Sequence, residues 1–201
     1  MVYFLATAAN KKLKTISAMK SFLLFLLFAT IYCSTLAQDV YLDTKGTISF
    51  FSETPVEDID ATSNLAVDAI NIKTKDVFFK VRMESLTFKK ALMEEHFNEN
   101  YMESDQYPYA TFKGKIDQDI DLTKDGTYQV TVTGVLTIHG VDQTRTIPGT
   151  IVVNGQSLDV TSNFDVKVAD HKIRIPSIVT EHVAESVNVK VHSVLTPATK
   201  N

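Results

Sequence analysis

Apolar and polar residues alternate along most of the chain with a period of two. The longest run extends from Leu158 to Val168, where apolar or small residues occupy every second position and Asp, Thr, Asn or Lys occupies the positions between them. Successive side chains of a strand point to opposite faces, so this pattern predicts strands with one dry and one solvated face. Similar runs predict strands near residues 47–50, 59–72, 77–84, 109–116, 128–139, 147–153 and 187–192.

Short polar segments predict how these strands are joined. Asp125-Gly126 and Asn154-Gly155 predict tight hairpin turns, because such residues tolerate a positive φ, and the second pair is the stronger signal. A further turn is predicted from Gly140 to Gln143. Within residues 59–72 the apolar positions change parity near Ala69-Ile70, which predicts a β-bulge at that point.

One stretch of the chain has a helical period instead. The residues that would share one face at 3.6 residues per turn are Leu92, Met93, His96, Phe97 and Tyr101. Pro108 stops any helix and biases Tyr107 toward extended geometry. The sequence therefore predicts one short helix near residues 89–102, and we expect its apolar face to cover the open end or the edge of a sheet.

The number of strands favours a closed sheet. About eight strands joined mostly by hairpins would leave two exposed edges, and closure removes them. The predicted fold is all-β: an eight-stranded antiparallel, lipocalin-like barrel with its apolar faces inside. Side chains either fill such an interior or leave it open for one small ligand. Gly134 and Gly149, in the middle of strand faces, indicate bends at barrel corners more than places where a ligand approaches the backbone.

The first part of the chain has the pattern of a targeting segment. Lys20 precedes an apolar run over residues 22–31, and the small-x-small sequence Thr35-Leu36-Ala37 follows. This order is typical of a secretory signal peptide, here residues 1–37 with cleavage after Ala37. The apolar run is shorter than the roughly 17–25 residues that span a bilayer, so we expect no stable membrane insertion. We expect one secreted or periplasmic domain, residues 38–201.

Removal of the signal peptide changes both the thiol content and the charge. The single cysteine, Cys33, lies inside it, so the mature protein would have no disulfide. Four lysines and no acidic residue are lost with it, which takes the formal net charge from −4 to −8. An acidic domain repels phosphate backbones, so nucleic acid is not expected as a partner. Translation could start at Met1 or at Met19, and the sequence does not specify an oligomeric state.

Two segments of the chain resemble one known family. They are HFNENYMESDQYPYATFKGKI, which starts at His96, and VTGVLTIHGVDQTRTI, which starts at Val132. A Tyr-Pro pair before an aromatic strand, followed by a Leu-Thr-Ile-His-Gly turn at residues 136–140, resembles the YceI-like family of lipid- or polyisoprenoid-binding proteins. The resemblance implies a secreted or periplasmic lipocalin-like barrel with a short helix and an isoprenoid-type lipid in its apolar interior. The first half departs from the commoner family pattern, since Phe50-Phe51-Ser52-Glu53 stands where an early His and a Gly-Phe segment are usual.

The chain lacks the motifs of common catalytic and metal sites. None of its five histidines has a ligand spacing such as HExxH, and neither a G-x-S-x-G elbow nor a glycine-rich phosphate loop occurs. Glu181, His182 and Glu185 are the nearest approach to a metal cluster, but on a strand His182 would face away from the two carboxylates. His139 is expected to make a turn or rim hydrogen bond, and His96 to be a structural group where helix and barrel meet. We expect no enzyme, no cofactor and no metal.

Two hypotheses about function follow from the inward faces. In the first, the inward side chains line a cavity that sequesters or carries a lipid or polyisoprenoid-type chain. In the second, they pack a solid core, and the protein acts through its surface as an interaction or stress-related factor without a ligand. The periodicity is the same in both cases. The side chains predicted to line the cavity are Phe50, Phe79, Val81, Met83, Phe97, Phe112, Val132, Leu136, Phe164 and Val189.

Overall fold

In the part of the chain that the structure describes, strands and their connections lie on either side of one short helix. The computed structural model describes residues 39–53, 58–174 and 184–198. The strands are β1 (Val40–Ser52), β2 (Ile59–Asn71), β3 (Asp76–Arg82), β4 (Thr87–Phe88), β5 (Tyr109–Ile116), β6 (Gly126–Ile138), β7 (Val141–Asn154), β8 (Ser157–Lys167) and β9 (Ser186–Pro197). The helix α1 (Ala91–His96) continues directly into a π-helical turn at Phe97–Tyr101, which confirms the predicted short helix near residues 89–102.

Eight of the strands form a closed antiparallel barrel. They pair in the order β1-β9-β8-β7-β6-β5-β3-β2, and β2 pairs in turn with β1 to close the ring. β4 has only two residues, which pair with Ala61 and Thr62 of β2. Closure leaves no edge strand in the ring. The predicted eight-stranded antiparallel barrel is therefore confirmed.

β2 contains a bulge, but not where the sequence predicts it. Its register with β1 shifts between Ser63 and Ala66, whereas Val67 to Ile70 pair regularly with β3. The prediction of a bulge at Ala69-Ile70 is wrong because it treated every polar residue as outward. Asp68 is buried on the inward face of β2, so the change of parity lies upstream of it.

One of the two predicted tight hairpins is present. Asn154 pairs with Ser157 across the β7–β8 turn, and Gly155 has a φ of 59°, which a residue without a Cβ adopts at little cost. The prediction at Asp125-Gly126 is wrong, because residues 117–125 form a longer connection between β5 and β6. The Oδ1 atom of Asp125 instead accepts a hydrogen bond from the N–H of Gly155 at 2.8 Å. Two turn signals in the sequence thus meet at one end of the barrel.

The turn between β6 and β7 is shorter than the sequence predicts. It consists of His139-Gly140, with φ values of 51° and 68°, instead of the span from Gly140 to Gln143. Asp142 suggested a loop, but it lies in β7 and its Oδ1 accepts a hydrogen bond from Thr137 Oγ1 at 2.6 Å. The polar residues that suggested a longer turn therefore belong to the two paired strands, where Thr137 and Asp142 form a hydrogen bond.

The interior of the barrel is filled at one end. The buried side chains that pack there are Tyr41, Ile70, Ile116, Leu122, Val130, Ile151, Val153, Leu158 and Leu195. Leu158 and Leu195 are fully buried, and Leu122 comes from the connection between β5 and β6. That connection therefore inserts a side chain into the end of the barrel and closes it. We call this cluster the filled end.

Some predicted features fall outside the described residues. They are the signal peptide of residues 1–37, with Cys33, and the residues Glu181 and His182 of the candidate metal cluster. Among the residues that the structure describes, no helix combines the length and the hydropathy needed to cross a membrane.

Candidate functional site

A cavity of about 600 Å³ occupies the barrel interior beyond the filled end. All eight barrel strands contribute inward side chains to its wall, and α1 and the π-helical turn contribute the rest of its boundary. The lining is almost entirely aliphatic and aromatic. This volume lies within the roughly 300–1,000 Å³ that is usual for small-molecule sites. The interior therefore has room for much of one apolar molecule.

All the side chains predicted to line a cavity do line this one. They are Phe50, Phe79, Val81, Met83, Phe97, Phe112, Val132, Leu136, Phe164 and Val189. Strand parity explains most of the agreement, because the inward face of a strand must border whatever the barrel encloses. Their contact with a ligand stays a prediction. The sequence left open whether the interior is solid or hollow. In the structure one end is solid, the filled end, and the other end contains the cavity.

Three aromatic rings pack between the helix and the barrel wall. The ring of Phe97 lies 4.9 Å from that of Phe88 and 5.6 Å from that of Phe50, centroid to centroid. Phe50 and Phe88 meet edge to face at 5.8 Å. Aromatic pairs of this kind contribute about 0.5–1.5 kcal/mol beyond their buried area. Because the rings come from β1, β4 and the π-helical turn, they hold the helical segment over the cavity.

The predicted apolar face of the helix is only partly inward. Met93, Phe97 and Tyr101 are half-buried, whereas His96 is exposed and Leu92 is 60% exposed. All five nevertheless contribute to the boundary of the cavity. The π-helical turn has a wider hydrogen-bond spacing than an α-helix, so a face drawn at 3.6 residues per turn does not continue through it.

One carboxyl group lies in the apolar wall. Asp68 faces inward from β2, lines the cavity and is 9% exposed. Its Oδ2 accepts a hydrogen bond from Oγ of Ser193 on β9 at 2.6 Å. β1 runs between β2 and β9, and the bond passes over Gly46 of β1, where an added Cβ would overlap both oxygen atoms. The contact therefore requires glycine at this position.

Burial raises the pKa of Asp68 from 3.8 to about 7, because apolar surroundings disfavour the charged form. The hydroxyl of Ser193 lowers the pKa and the carboxylate of Asp43 raises it, but burial has the largest influence. The neutral form of the carboxyl is thus favoured far more than in an exposed aspartate. Sequence analysis missed this group, although the break in alternation around it was the available signal.

A second polar contact lies at the turn between β6 and β7. The Nε2–H of His139 donates to Oε2 of Glu103, in the segment after the π-helical turn, at 2.7 Å. The imidazole also meets the ring of Tyr107 edge-on, 4.5 Å between centroids. Gly140 leaves room for this ring, since a Cβ there would lie 2.6 Å from it. The predicted turn or rim hydrogen bond of His139 is confirmed, and it connects the helical segment to the barrel.

His171 is fully buried next to this contact. Its Nδ1–H donates to the carbonyl of Val141 at 3.1 Å, and its Nε2 has no hydrogen-bond partner among the described residues. Burial lowers the pKa of His171, because the charged imidazolium would lose its hydration. We therefore interpret His171 as a neutral structural group.

Replacement of His139 by asparagine is expected to loosen the helical segment without disrupting the turn. Asparagine tolerates a positive φ but loses the bond to Glu103 and the ring contact with Tyr107. We expect a loss of about 1 kcal/mol in stability and faster amide exchange in residues 97–107. His192, whose imidazole forms an exposed pair with Asp159, provides the control: His192→Asn should change neither quantity, and equal effects in both variants would contradict the connecting role of His139.

The cavity does not contain a recognisable catalytic arrangement. Its titratable lining residues are Asp68, His96 and Tyr101, and no hydrogen bond links any two of them in the described part of the chain. Over residues 39–53, 58–174 and 184–198, no three His, Cys, Asp or Glu side chains are grouped to hold a metal ion. What this arrangement can do chemically is remove apolar surface from water.

The two mid-strand glycines have different surroundings. A Cβ at Gly134 would overlap the backbone of Lys113 and Gly114 in β5, so this glycine permits a close approach of two strands. Gly149 lies in the cavity wall, and its nearest neighbour would be the carbonyl of Thr161, 3.2 Å from an added Cβ. Both glycines therefore allow a close approach of neighbouring strands, and the approach is closer at Gly134.

Solved structures of low sequence identity share this fold. A domain from Saccharophagus degradans, described as polyisoprenoid binding and implicated in plant cell wall breakdown, has 14% identity and a TM-score of 0.69, over 80% of this chain and 99% of that domain. BcnA from Burkholderia cenocepacia has 21% identity and a TM-score of 0.64, over 79% and 99%. The YCEI protein of Campylobacter jejuni has 16% identity and a TM-score of 0.54, over 78% and 86%.

Sequence comparison identifies the family. No curated protein matches this sequence. The family model of the YceI-like domain, in contrast, matches residues 37–195, which include all the strands of the barrel except the last residues of β9. The two segments that resemble the family in the sequence begin at the end of α1 and lie in the π-helical turn and the strands β5 to β7, around the cavity. The chain belongs to the family of YceI-like domains.

Proposed function

We propose that this protein binds a lipid or polyisoprenoid-type apolar chain inside its barrel and sequesters or transports it. The observation that carries the proposal is the cavity of about 600 Å³ with an almost wholly apolar wall. A void of this kind leaves its lining side chains without contacts on one side. An apolar ligand supplies those contacts and removes its own surface from water.

The energetics favour such a ligand. Burial of apolar surface contributes about 25 cal/mol per Å², so a ligand that buries 300 Å² gains roughly 7 kcal/mol before the unfavourable terms of association. Polar ligands would gain less, because the wall offers them few hydrogen-bonding partners. The name of the domain from Saccharophagus degradans, a polyisoprenoid binding domain, supports the same class of ligand for this chain.

We further propose that the protein acts outside the cytoplasm as a binding protein and not as an enzyme. Residues 1–37 have the composition of a cleavable signal peptide, and residues 38–201 would then be the secreted or periplasmic domain. Transport of an apolar chain through aqueous space requires a protein that shields it from water. A barrel with an apolar cavity of this size suits this task.

A variant that fills the cavity tests the proposal. Val132 is inward on β6 and lines the cavity, whereas Val135 on the same strand is outward and 39% exposed. Val132→Trp is expected to weaken binding of the isoprenoid alcohol geranylgeraniol at least tenfold, because the indole occupies the space of the ligand. Val135→Trp should bind as the wild type does. Binding is measured by titration calorimetry in detergent below its micellar concentration.

Native mass spectrometry gives an independent measurement. Protein purified from its own host is expected to carry an adduct of lipid mass, which organic extraction removes and Val132→Trp abolishes. Equal geranylgeraniol binding by the Val132→Trp and Val135→Trp variants would contradict binding in the barrel. The melting temperature of both variants shows whether each is folded.

A further inference from the structure

The carboxyl of Asp68 is an unusual component of an apolar cavity wall. It is 9% exposed and lies between Ala66 and Ile70 on the inward face of β2. Ile70 also belongs to the filled end, so Asp68 lies at the deep end of the cavity, away from α1. In the part of the chain that the structure describes, no Lys, Arg or His side chain forms an ion pair with it. A polar group in this position requires an explanation.

The hydrogen bond from Ser193 involves only one of the two oxygen atoms of the Asp68 carboxyl group. Ser193 Oγ donates to Oδ2, and no other hydrogen bond to the Asp68 side chain occurs among the described residues. Oδ1 is therefore available for a partner inside the cavity. Gly46 is the position in β1 that allows the pair to form. Three strands thus combine to place one accepting oxygen at the end of an apolar space.

A structural role alone does not account for this arrangement. Two apolar side chains across Gly46 would close the same gap without desolvating a carboxyl, and buried polar groups destabilise a fold unless they are paired. Burial raises the pKa of Asp68 to about 7, which is consistent with a group that lacks a complete set of partners. A ligand that donates a hydrogen bond would supply the missing one.

We propose that Asp68 and Ser193 form a polar subsite that binds the uncharged hydroxyl end of an isoprenoid or other long apolar alcohol, which enters the cavity with that end first. This proposal rests on the proposed function and specifies the end group and direction of the ligand. The hydroxyl donates to Oδ1 of the ionised carboxyl, and when Asp68 is protonated its O–H donates to the hydroxyl oxygen. A hydroxyl therefore suits both states.

The surrounding charges exclude an anionic end group. Asp43 of β1 is the register partner of Asp68, and its carboxylate accepts hydrogen bonds from the backbone N–H groups of Lys45 and Val194. A phosphate or carboxylate at the deep end would lie against Asp68, with the charge of Asp43 nearby and no basic residue in the cavity wall among the described residues. A plain hydrocarbon end would leave Oδ1 buried and unpaired. The subsite therefore discriminates between end groups on chains of equal length.

Three ligands of the same chain length test the proposal with the wild-type protein. They are geranylgeraniol, its methyl ether, which has no donor, and geranylgeranyl monophosphate. We expect the alcohol to bind at least tenfold more tightly than the ether and the phosphate to bind most weakly. Equal affinity for the alcohol and the ether would overturn the subsite and leave the proposed function intact. Failure of the wild type to bind any of the three would overturn both.

The variant Asp68→Leu tests whether Asp68 is the residue responsible for the preference for the alcohol over the ether. It is expected to bind the ether as tightly as the wild type or more tightly, and to lose the preference for the alcohol. Asp68→Asn keeps an accepting oxygen and should retain part of that preference, which separates hydrogen bonding from a change in cavity shape. If Asp68→Leu is folded and still prefers the alcohol tenfold, the hydroxyl binds elsewhere and the proposal is wrong. Should Asp68→Leu fail to fold, the Asp68→Asn variant and the wild-type ligand series decide the question.

Discussion

Replacement of Leu158 by alanine is expected to lower the free energy of unfolding by about 3–5 kcal/mol. The side chain is fully buried in the filled end, in the same cluster as Leu122 and Leu195. Its removal loses the transfer free energy of the missing atoms and leaves a void that the neighbouring strands cannot close. The measurement is urea denaturation of the lipid-free protein, followed by far-UV circular dichroism.

Phe164→Ala is the matched variant at the hollow end of the same strand. Phe164 lines the cavity and is only partly buried, so its ring already lacks contacts on one side. We expect a loss of less than about 2 kcal/mol in the lipid-free protein, although phenylalanine is the larger side chain. The retention of bound lipid should fall in this variant and not in Leu158→Ala. Equal losses of stability for the two variants would mean that both ends of the barrel are filled.

Asp68 is expected to lower the free energy of unfolding of the wild type by about 3 kcal/mol as the pH rises from 5 to 8.5, and replacement of Asp68 by asparagine should abolish this change. In the wild type the folded protein has the pKa of this carboxyl raised to about 7 from 3.8. It therefore binds the proton more tightly than the unfolded chain does. As the pH rises from about 4 through about 7, the stabilising effect of this protonation is lost.

The variant Asp68→Asn should thus be more stable than the wild type at pH 8.5 and closer to it at pH 5. Asparagine can still accept the hydrogen bond from Ser193, which limits other changes. Asp165→Asn provides the control, because Asp165 is an exposed carboxylate on β8. Stability is measured by urea denaturation at both pH values. A constant difference between Asp68→Asn and the wild type across this range would contradict the raised pKa.

The barrel could be predicted from the sequence because each of its strands has one face toward water and one face toward the apolar interior. Alternation along β8 and the inward residues of β6 follow from that arrangement alone. The sequence also predicts the helix, since the residues around Phe97 have a period that no strand has. Even so, the helical face is only approximate, because the π-helical turn changes the spacing after His96.

The position of the cavity could not be predicted in this way. Alternation shows which face of a strand is inward, but not whether inward side chains from opposite walls meet. The filled end depends on Leu122, which comes from a connection that the sequence predicts as a tight turn. The deep polar pair depends on three residues far apart in the chain, Gly46, Asp68 and Ser193, which only the register of β1, β2 and β9 brings together.

Because the interior is divided into a filled and a hollow end, substitutions should be tolerated differently at the two ends of the barrel. Side chains at the filled end hold the strands in register, so substitutions there would threaten the whole scaffold. At the hollow end the same strands carry side chains that can change in bulk and polarity while folding is preserved. The architecture can therefore persist while the lining of the cavity changes, as in the solved structures that share this fold at 14–21% sequence identity.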